Sequence, residues 1–544
     1  MAIHPICEYV DCNGDALLVR VRLRGADLPA GTRYYLVLRS RAGQKIAFSV
    51  ASATLRVSTT GEWSRSAFDF AFPLNVIPNG EFNLQLACEG VGSFALDPSA
   101  GVLAEARPRQ LADSRLCQVF PAAGKPATRI RVSPNTRLSR ARWRARNVLR
   151  DVAFSLRLRR FSWIRTARMV TRPFVPSAGI WLIGERPETA RDNGAALFEY
   201  LRKNRPDDPI YYIINRDSIM RNSVEQLGNV VLHSSFHHKV LMLHAEVLAN
   251  AYSIKHMLPR TWHPGAYMKQ ATWRLGARRV YLKHGIHLSP YAVKRANGGY
   301  DLFLTAGEPE HAALAETSGY SHQLAQTGLA RFDRLLMNGT PASRQILFMP
   351  TWRRYLVPPL FRGAVGAQVP YEGSAYERFM NDFLNSDELE KVLADYDLNL
   401  IMVPHYNLAA NFEPGKFAGR RVEVRDAKTA DIPALLRESD ALITDYSSVH
   451  FDVAYVGSPI IYAQFDRDDY GSMHGASSWF DFEADGFGPV VTDVRGVIDA
   501  LRRYAQQNFV REDFYTERLE RVFAYRDTEN RARIAQAIDA LLEI

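Results

Sequence analysis

Strict alternation of apolar and polar residues marks the first part of the chain. The runs LLVRVRLRG (17–25), YYLVLRS (34–40), FDFAFPL (68–74) and FNLQLACEG (82–90) carry an apolar side chain at every second position. That is the period of a half-buried β-strand. Turn signals separate the runs: Asn13-Gly14, Thr60-Gly61 and Pro78-Asn79-Gly80. Short strands at this spacing predict a small all-β, sandwich-like domain over residues 1–105. From Gly179 the pattern changes to short apolar runs, several followed by a helix-periodic segment. The first set holds GIWLIG (179–184), IYYII (210–214), NVVLH (229–233), RVYLKHG (279–285) and DLFLTAG (301–307), with the helical NGAALFEYLRKN (193–204) among them. A second set follows Arg344: QILFMPT (345–351), NLIMVPH (399–405), ALITDYSS (441–448) and PIIYAQF (459–465). Helical stretches at 497–507, 514–526 and 529–543 close it, the last with a stripe of Ile534, Ile538, Leu541 and Leu542. Strands alternating with helices predict an α/β fold of two Rossmann-like domains, 176–340 and 341–544, facing each other across a cleft. In open parallel sheets ligands bind beyond the carboxyl ends of the strands.

Residues 106–175 fit neither pattern. After PAAGKPA (121–127) comes a basic segment in which Ala145, Val148, Leu149, Val152 and Leu156 fall at helical spacing. Between Arg137 and Arg172 stand twelve arginines, no lysine and one acid, Asp151, so these 36 residues sum to +11 against +10 for the whole chain. Arg142, Arg144, Arg146 and Arg150, with Trp143, Phe154, Phe161 and Trp163 interleaved, describe a helix lying in an anionic membrane interface. The competing expectation is a basic helix packed on its own protein with its arginines solvated. Nucleic acid is not expected as a partner, because no recognition motif accompanies the charge.

Composition is that of a globular protein, 47% hydrophobic and 23% charged. No run of 18 apolar residues occurs, and MAIHPICEYVDCNGD lacks the pattern of a signal peptide. A cytoplasmic location is therefore expected. Cys7, Cys12, Cys88 and Cys117 form no CxxC pair, and the α/β halves show no HExxH, P-loop lysine motif or GxGxxG after the first strand. Metal-dependent, ATP-hydrolysing and nicotinamide chemistry are not expected.

Candidate chemistry sits at strand ends. Lys283-His284-Gly285 ends one strand, and imidazole is suited to accept a proton near neutral pH. Pro404-His405-Tyr406 ends a strand in the other half, so the two histidines point toward one cleft. In ALITDYSSVHFDVAYVG a strand leads through Asp445-Tyr446-Ser447-Ser448 into a helix, where hydroxyls and unpaired N–H groups can hold an anion or cap the helix. Thr429-Ala430-Asp431-Ile432-Pro433 starts another helix. Arg353 or Arg354, leaving a strand in PTWRR, could hold a phosphate bidentately.

These residues resemble a known family. ADIPALLRESDALITDYSSVHFDVAYVGSPIIYAQFDRDDY (430–470) looks like the C-terminal signature of the CDP-glycerol glycerophosphotransferases, the primases and polymerases of teichoic acid and capsule polymers. WLIGERPETARDNG (181–194), LKHGIHLS (282–289), FMPTWRR (348–354), VPHYN (403–407) and RDTENRARI (526–534) resemble its other motifs in order, over about residues 176–544. The resemblance implies a glycosyltransferase B arrangement with no required cofactor. It implies that His284 is the general base and His405 the second essential histidine, and that Arg353, Asp445, Ser447, Ser448, Gly285, Gly184 and Arg186 serve the donor and its phosphates. Ile286, His287, Ser289 and Tyr406 depart from the family's usual residues and leave the acceptor and polyol open.

The resulting expectation is a peripheral enzyme on the cytoplasmic face of the membrane. It would pass a polyol phosphate from CDP-glycerol, or a related CDP-polyol, to a lipid-linked or polymer acceptor and release CMP. Arg142, Arg144, Arg146, Arg150, Trp143 and Trp163 would face the lipid. The alternatives are a nucleotide-sugar glycosyltransferase of the same architecture and a non-catalytic membrane- or glycan-binding scaffold.

Overall fold

The computed structural model describes residues 4–543 apart from short stretches, the longer of which are 25–31, 57–64, 357–369 and 471–477. The N-terminal part is a sandwich of two sheets. One has the strand order Ser52–Arg56, Arg65–Pro73, Ala16–Arg24, His4–Asn13, Asp97–Pro98. The other runs Arg109–Gln110, Arg115–Pro121, Thr128–Pro134, Gly80–Cys88, Tyr34–Ser40, Lys45–Ser49, with Gly92–Ala95 beside Gly80–Cys88. Alternation does what it predicts: Val19, Val21, Phe70 and Phe72 pack against Leu36, Leu38, Leu84 and Leu86.

Three of these strands lie beyond residue 105, inside the stretch 106–175 in which no strand is expected from the sequence. In TRIRVSP the side chains of Ile130 and Val132 are buried in the sandwich core while Arg129 and Arg131 point away. The arginines belong to the β pattern there, and the basic segment proper begins only after Pro134. It folds as the helices Arg137–Ser155 and Ile164–Thr171. Among the described residues no helix is long and apolar enough to cross a membrane.

Each α/β half is a parallel sheet. The first has the order Val230–Leu232, Ile210–Ile214, Ile180–Gly184, Ala245–Asn250, Arg278–Tyr281, Leu302–Thr305, Leu324–Gln326. The second runs Val422–Val424, Asn399–Met402, Gln345–Met349, Ala441–Thr444, Ile460–Ala463, Val490–Val491. By sequence rank both begin 3-2-1-4-5-6, the doubly wound order, with a switch point between strands 1 and 4. The strand Ala245–Asn250, at the first switch point, was not foreseen. It follows the helix Phe236–His244 without a turn signal, so KVLMLHAEVLAN reads as one apolar run. A strand buried on both faces cannot be told from a helix by period.

The helix Asn530–Glu543 does not stay with the second half. Ile534, Ala535 and Ile538 are buried in the core of the first half, against Phe198, Leu201 and Leu304. Asn530 and Arg531 donate to Asp333, which fixes the start of that helix on the first half. The first half is thus built from 176–340 plus this returning helix.

Candidate active site

A cavity of about 570 Å³ opens between the two halves, at the carboxyl ends of both sheets. His284 and His405 both line it, one from each half, and Ser447 and Ser448 line the same wall as His405. The four residues brought together by sequence reasoning are together in space.

His284 is presented by an unusual turn. Lys283, just after the strand Arg278–Tyr281, has φ +62°, a left-handed conformation that is rare for a side-chain-bearing residue. Its ammonium group is fully buried and donates to Glu310. Glu310 also accepts from the backbone N–H of His287 at 2.9 Å and of Ala306 at 3.0 Å. Asn193 Nδ2 donates to the Lys283 carbonyl at 2.8 Å. These bonds over-determine the loop and offset the cost of the left-handed turn. The His284 ring then stacks on Tyr252, with centroids 4.7 Å apart and planes 9° from parallel. The Arg186 guanidinium lies over the same Tyr252 ring, 4.7 Å from its centroid. Enclosure by protein lowers the pKa of His284; Asp192 opposes this, and Arg331 and Arg186 reinforce it.

His405 follows the strand Asn399–Met402 and stacks on Trp352 at 5.8 Å. Desolvation, and then the charge of Arg186, lower its pKa to about 4. Both histidines are therefore poised to be neutral at pH 7. Tyr406 lies outside the described residues.

The serine turn precedes the helix His450–Val456, and no side chain caps that helix. Among the described residues, Ser447 Oγ accepts a long 3.4 Å bond from Val449 N–H. Both serines line the cavity. A Cβ on Gly285 would meet Ser448 Oγ at 3.5 Å and Arg331 Nη2 at 3.6 Å, so Gly285 brings the histidine loop against the serine turn of the other half.

Arg353 and Asp445 take a different place from the one expected. The Arg353 side chain is 0% exposed and does not line the cavity. It donates to Asp466 at 2.6 and 2.9 Å, to Asp445 at 2.8 Å and to the Thr351 carbonyl at 2.7 Å. Rings of Tyr376, Tyr446, Phe465 and Tyr470 surround it. Asp445 accepts in addition from Thr351 N–H and Tyr446 N–H. The pair ties the loop after Gln345–Met349 to the serine turn. Gly184, at the end of Ile180–Gly184, is buried below the cleft. Its carbonyl accepts from Ala251 N–H, and its neighbour Gly194 is the one whose Cβ would clash, 2.8 Å from that carbonyl.

Sequence reasoning missed Arg331, which joins the halves. Arg331 donates to both oxygens of Asp452 at 2.6 and 2.7 Å, to Asp192 at 2.7 Å and to the His284 carbonyl. Its partners come from both halves, so no local spacing announces it. Arg191, on the cavity wall, donates to the carbonyls of Ala427 and Ala430 across the same junction.

Two facing doubly wound sheets with a shared cleft at their carboxyl ends define the glycosyltransferase B class of architecture. Over residues 165–540 the chain matches the family described as CDP-Glycerol:Poly(glycerophosphate) glycerophosphotransferase, and it belongs to that family of transferases. It is 27% identical over 384 residues to the minor teichoic acid biosynthesis protein GgaB of Bacillus subtilis (strain 168), covering 68% of this chain and 41% of that protein. It is 23% identical over 346 residues to a teichoic acid poly(glycerol phosphate) polymerase of the same organism, covering 58% of this chain and 42% of that protein. The chain thus spans about two fifths of the length of these curated relatives. A structure of the wall teichoic acid polymerase TagF with CDPG is similar in fold, with a TM-score of 0.51 and 16% identity, covering 73% of this chain and 98% of that one.

Proposed function

We propose that the chain transfers glycerol phosphate, or a related polyol phosphate, from a CDP-activated donor to an acceptor hydroxyl in the synthesis of a teichoic-acid-like or capsular polymer. The observation that carries this reading is one cavity lined by a histidine from each half and by the serine turn. The acceptor oxygen attacks the distal phosphorus of the donor, the bond from that phosphorus to the bridging oxygen breaks, CMP leaves and a phosphodiester forms. His284, held neutral, takes the hydroxyl proton. Phosphoryl transfer needs positioning and charge stabilisation more than covalent help. His405 and the hydroxyls of Ser447 and Ser448 can donate to the phosphates, and Arg186 lies close enough to both histidines to contribute positive charge.

We place the enzyme on the cytoplasmic face of the membrane through the helix Arg137–Ser155. Leu138, Val148, Leu149 and Val152 are exposed on it, as are Arg142 and Arg146, and Met169, Val170 and Phe174 are exposed just beyond. A helix packed on its own protein would bury that apolar stripe; an interfacial helix leaves it for lipid. Arg146 reaches Glu81 only at 3.7 Å. Trp163 is half exposed and meets Trp262 edge-on, with ring centroids 6.2 Å apart. The side chains of Trp143, Arg144 and Arg150 lie outside the described residues. The test is mass spectrometry of products from CDP-glycerol and related CDP-polyols with lipid-linked acceptors. CMP release with phosphate retained in the product is expected, and a product lacking that phosphate would mean sugar transfer.

A further inference from the structure

A second cavity, of about 950 Å³, lies at the opposite end of the first parallel sheet. That volume is at the upper end of small-ligand sites, roughly 300–1,000 Å³. Tyr9 and Arg20 of the sandwich, Arg107 and Arg109 after it, and the amino ends of the strands Arg278–Tyr281 and Leu302–Thr305 enclose it. The strand that starts here at Arg278 leads, at its other end, toward His284, so the length of the sheet separates this cavity from the cleft.

Most of the charge around it is neutralised within the wall. Arg295 donates to Asp11 at 2.8 Å and to Glu105 at 2.8 and 2.6 Å. Arg109 shares those two carboxylates. Arg20 is held by Asp69 at 2.7 Å, and Arg107 donates to Asp301 through Nη2. Two guanidinium groups keep unused donors among the described residues, and the exposed carboxylate of Glu316 lines the same wall. Arg107 Nη1 is buried with no hydrogen-bond partner among the described residues. Arg278 lines the cavity, is partly buried, and forms no ion pair or hydrogen bond through its guanidinium among the described residues. Burial, and then the positive charge of Arg107, hold the Arg278 guanidinium below its ordinary pKa; Asp301 and Glu246 attract it and Arg109 adds to the repulsion. Unused donors on mutually repelling guanidinium groups are relieved by an anion. Guanidinium groups are suited to phosphate oxygens. Gln110 and Ser321 in the same wall offer an amide and a hydroxyl for the hydroxyls of an attached polyol.

We propose that this cavity binds a phosphate-bearing ligand, with Arg278 and the unused face of Arg107 holding the phosphate. The ligand is either one phosphodiester of a polyol-phosphate chain or a free phosphate anion. The site is independent of the reaction proposed for the cleft, and its test does not use activity. Hydrogen–deuterium exchange is measured on the full chain with inorganic phosphate and, separately, with a synthetic glycerol-phosphate tetramer. Slower exchange is expected in segments 105–110 and 319–323. Arg278→Gln should weaken that protection roughly tenfold in ligand concentration, as loss of a charged hydrogen bond implies, with the melting temperature unchanged. Should the melting temperature fall, Arg278→Lys keeps the charge without the fork and should retain part of the binding. Protection by the tetramer at lower concentration than by phosphate identifies a chain as the ligand; equal protection identifies the free anion. No protection of these segments with either probe, or protection unaffected at Arg278→Gln, overturns the proposal.

Discussion

Replacing Arg331 with methionine should separate the two halves energetically while leaving each core intact. The guanidinium now meets Asp452 twice, Asp192 once and the His284 carbonyl. Its side chain is 18% exposed, and those of Asp452 and Asp192 are 3% and 11% exposed. Methionine fills similar space but leaves two nearly dry carboxylates facing an apolar group. Breaking one buried pair in this way costs about 3–5 kcal/mol. The residual exposure of Arg331 argues for the lower end, so a loss of about 3 kcal/mol is expected from the same principle. Native domains hold only about 5–15 kcal/mol in total. Urea denaturation followed by circular dichroism and tryptophan fluorescence measures the loss. Asp452→Asn in the same background should recover part of it, because the cost resides in the unpaired charge. A loss below about 1 kcal/mol, the scale of a surface pair, or strictly additive single and double variants, would refute the reasoning. Because the same arginine holds the His284 carbonyl, turnover should fall with stability.

His284→Ala should bind donor but lose roughly 10²–10⁴ in turnover, and a steady-state assay within about threefold of wild type would contradict that role against this expectation. The depressed pKa of His284 puts the acid limb of the pH–rate profile below the ordinary histidine value of about 6.5. Activity is lost as pH falls through that limb and is flat near pH 7; a limb above pH 7 would show that His284 is not the titrating base. His405→Ala and Ser448→Ala should each weaken CDP-glycerol binding in calorimetry by about 1.5–3 kcal/mol, the value of a hydrogen bond to a charged group. Replacing Arg142, Arg144, Arg146 and Arg150 together with glutamate should abolish flotation with anionic vesicles, since each basic residue contributes about 1 kcal/mol there, while activity on a short soluble acceptor survives. Unchanged flotation with a lower melting temperature would mean that the helix packs on protein.

Much of the fold is legible from periodicity because strand and helix periods act locally. The alternation in 17–25 and 68–74 and the apolar runs ending at Gly184, Gly285 and His405 mark real elements. Ala245–Asn250 escapes because nothing breaks its apolar run from the preceding helix. The site divides along the same line. His284, His405, Ser447 and Ser448 follow from their places after strands, where topology exposes them. Arg353 does not, because a basic residue after a strand can turn outward to a ligand or inward to acids far along the chain. Asp466 lies 113 residues away and settles it inward. Arg331, Glu310 and the Arg186–Tyr252–His284 stack are products of tertiary proximity that no local spacing encodes.

The returning helix Asn530–Glu543 bears on how the protein is made. Domains generally complete themselves in order of synthesis, at about 5–20 residues per second. The first α/β half cannot do so, because Ile534, Ala535 and Ile538 belong to its core. Its sheet residues leave the ribosome roughly 200 residues earlier, which at that rate means an interval of about 10–40 s with an apolar groove open on one face. A nascent chain in that interval is a natural client for a holdase chaperone, and a ribosome stalled between the two halves would release a species that cannot finish folding.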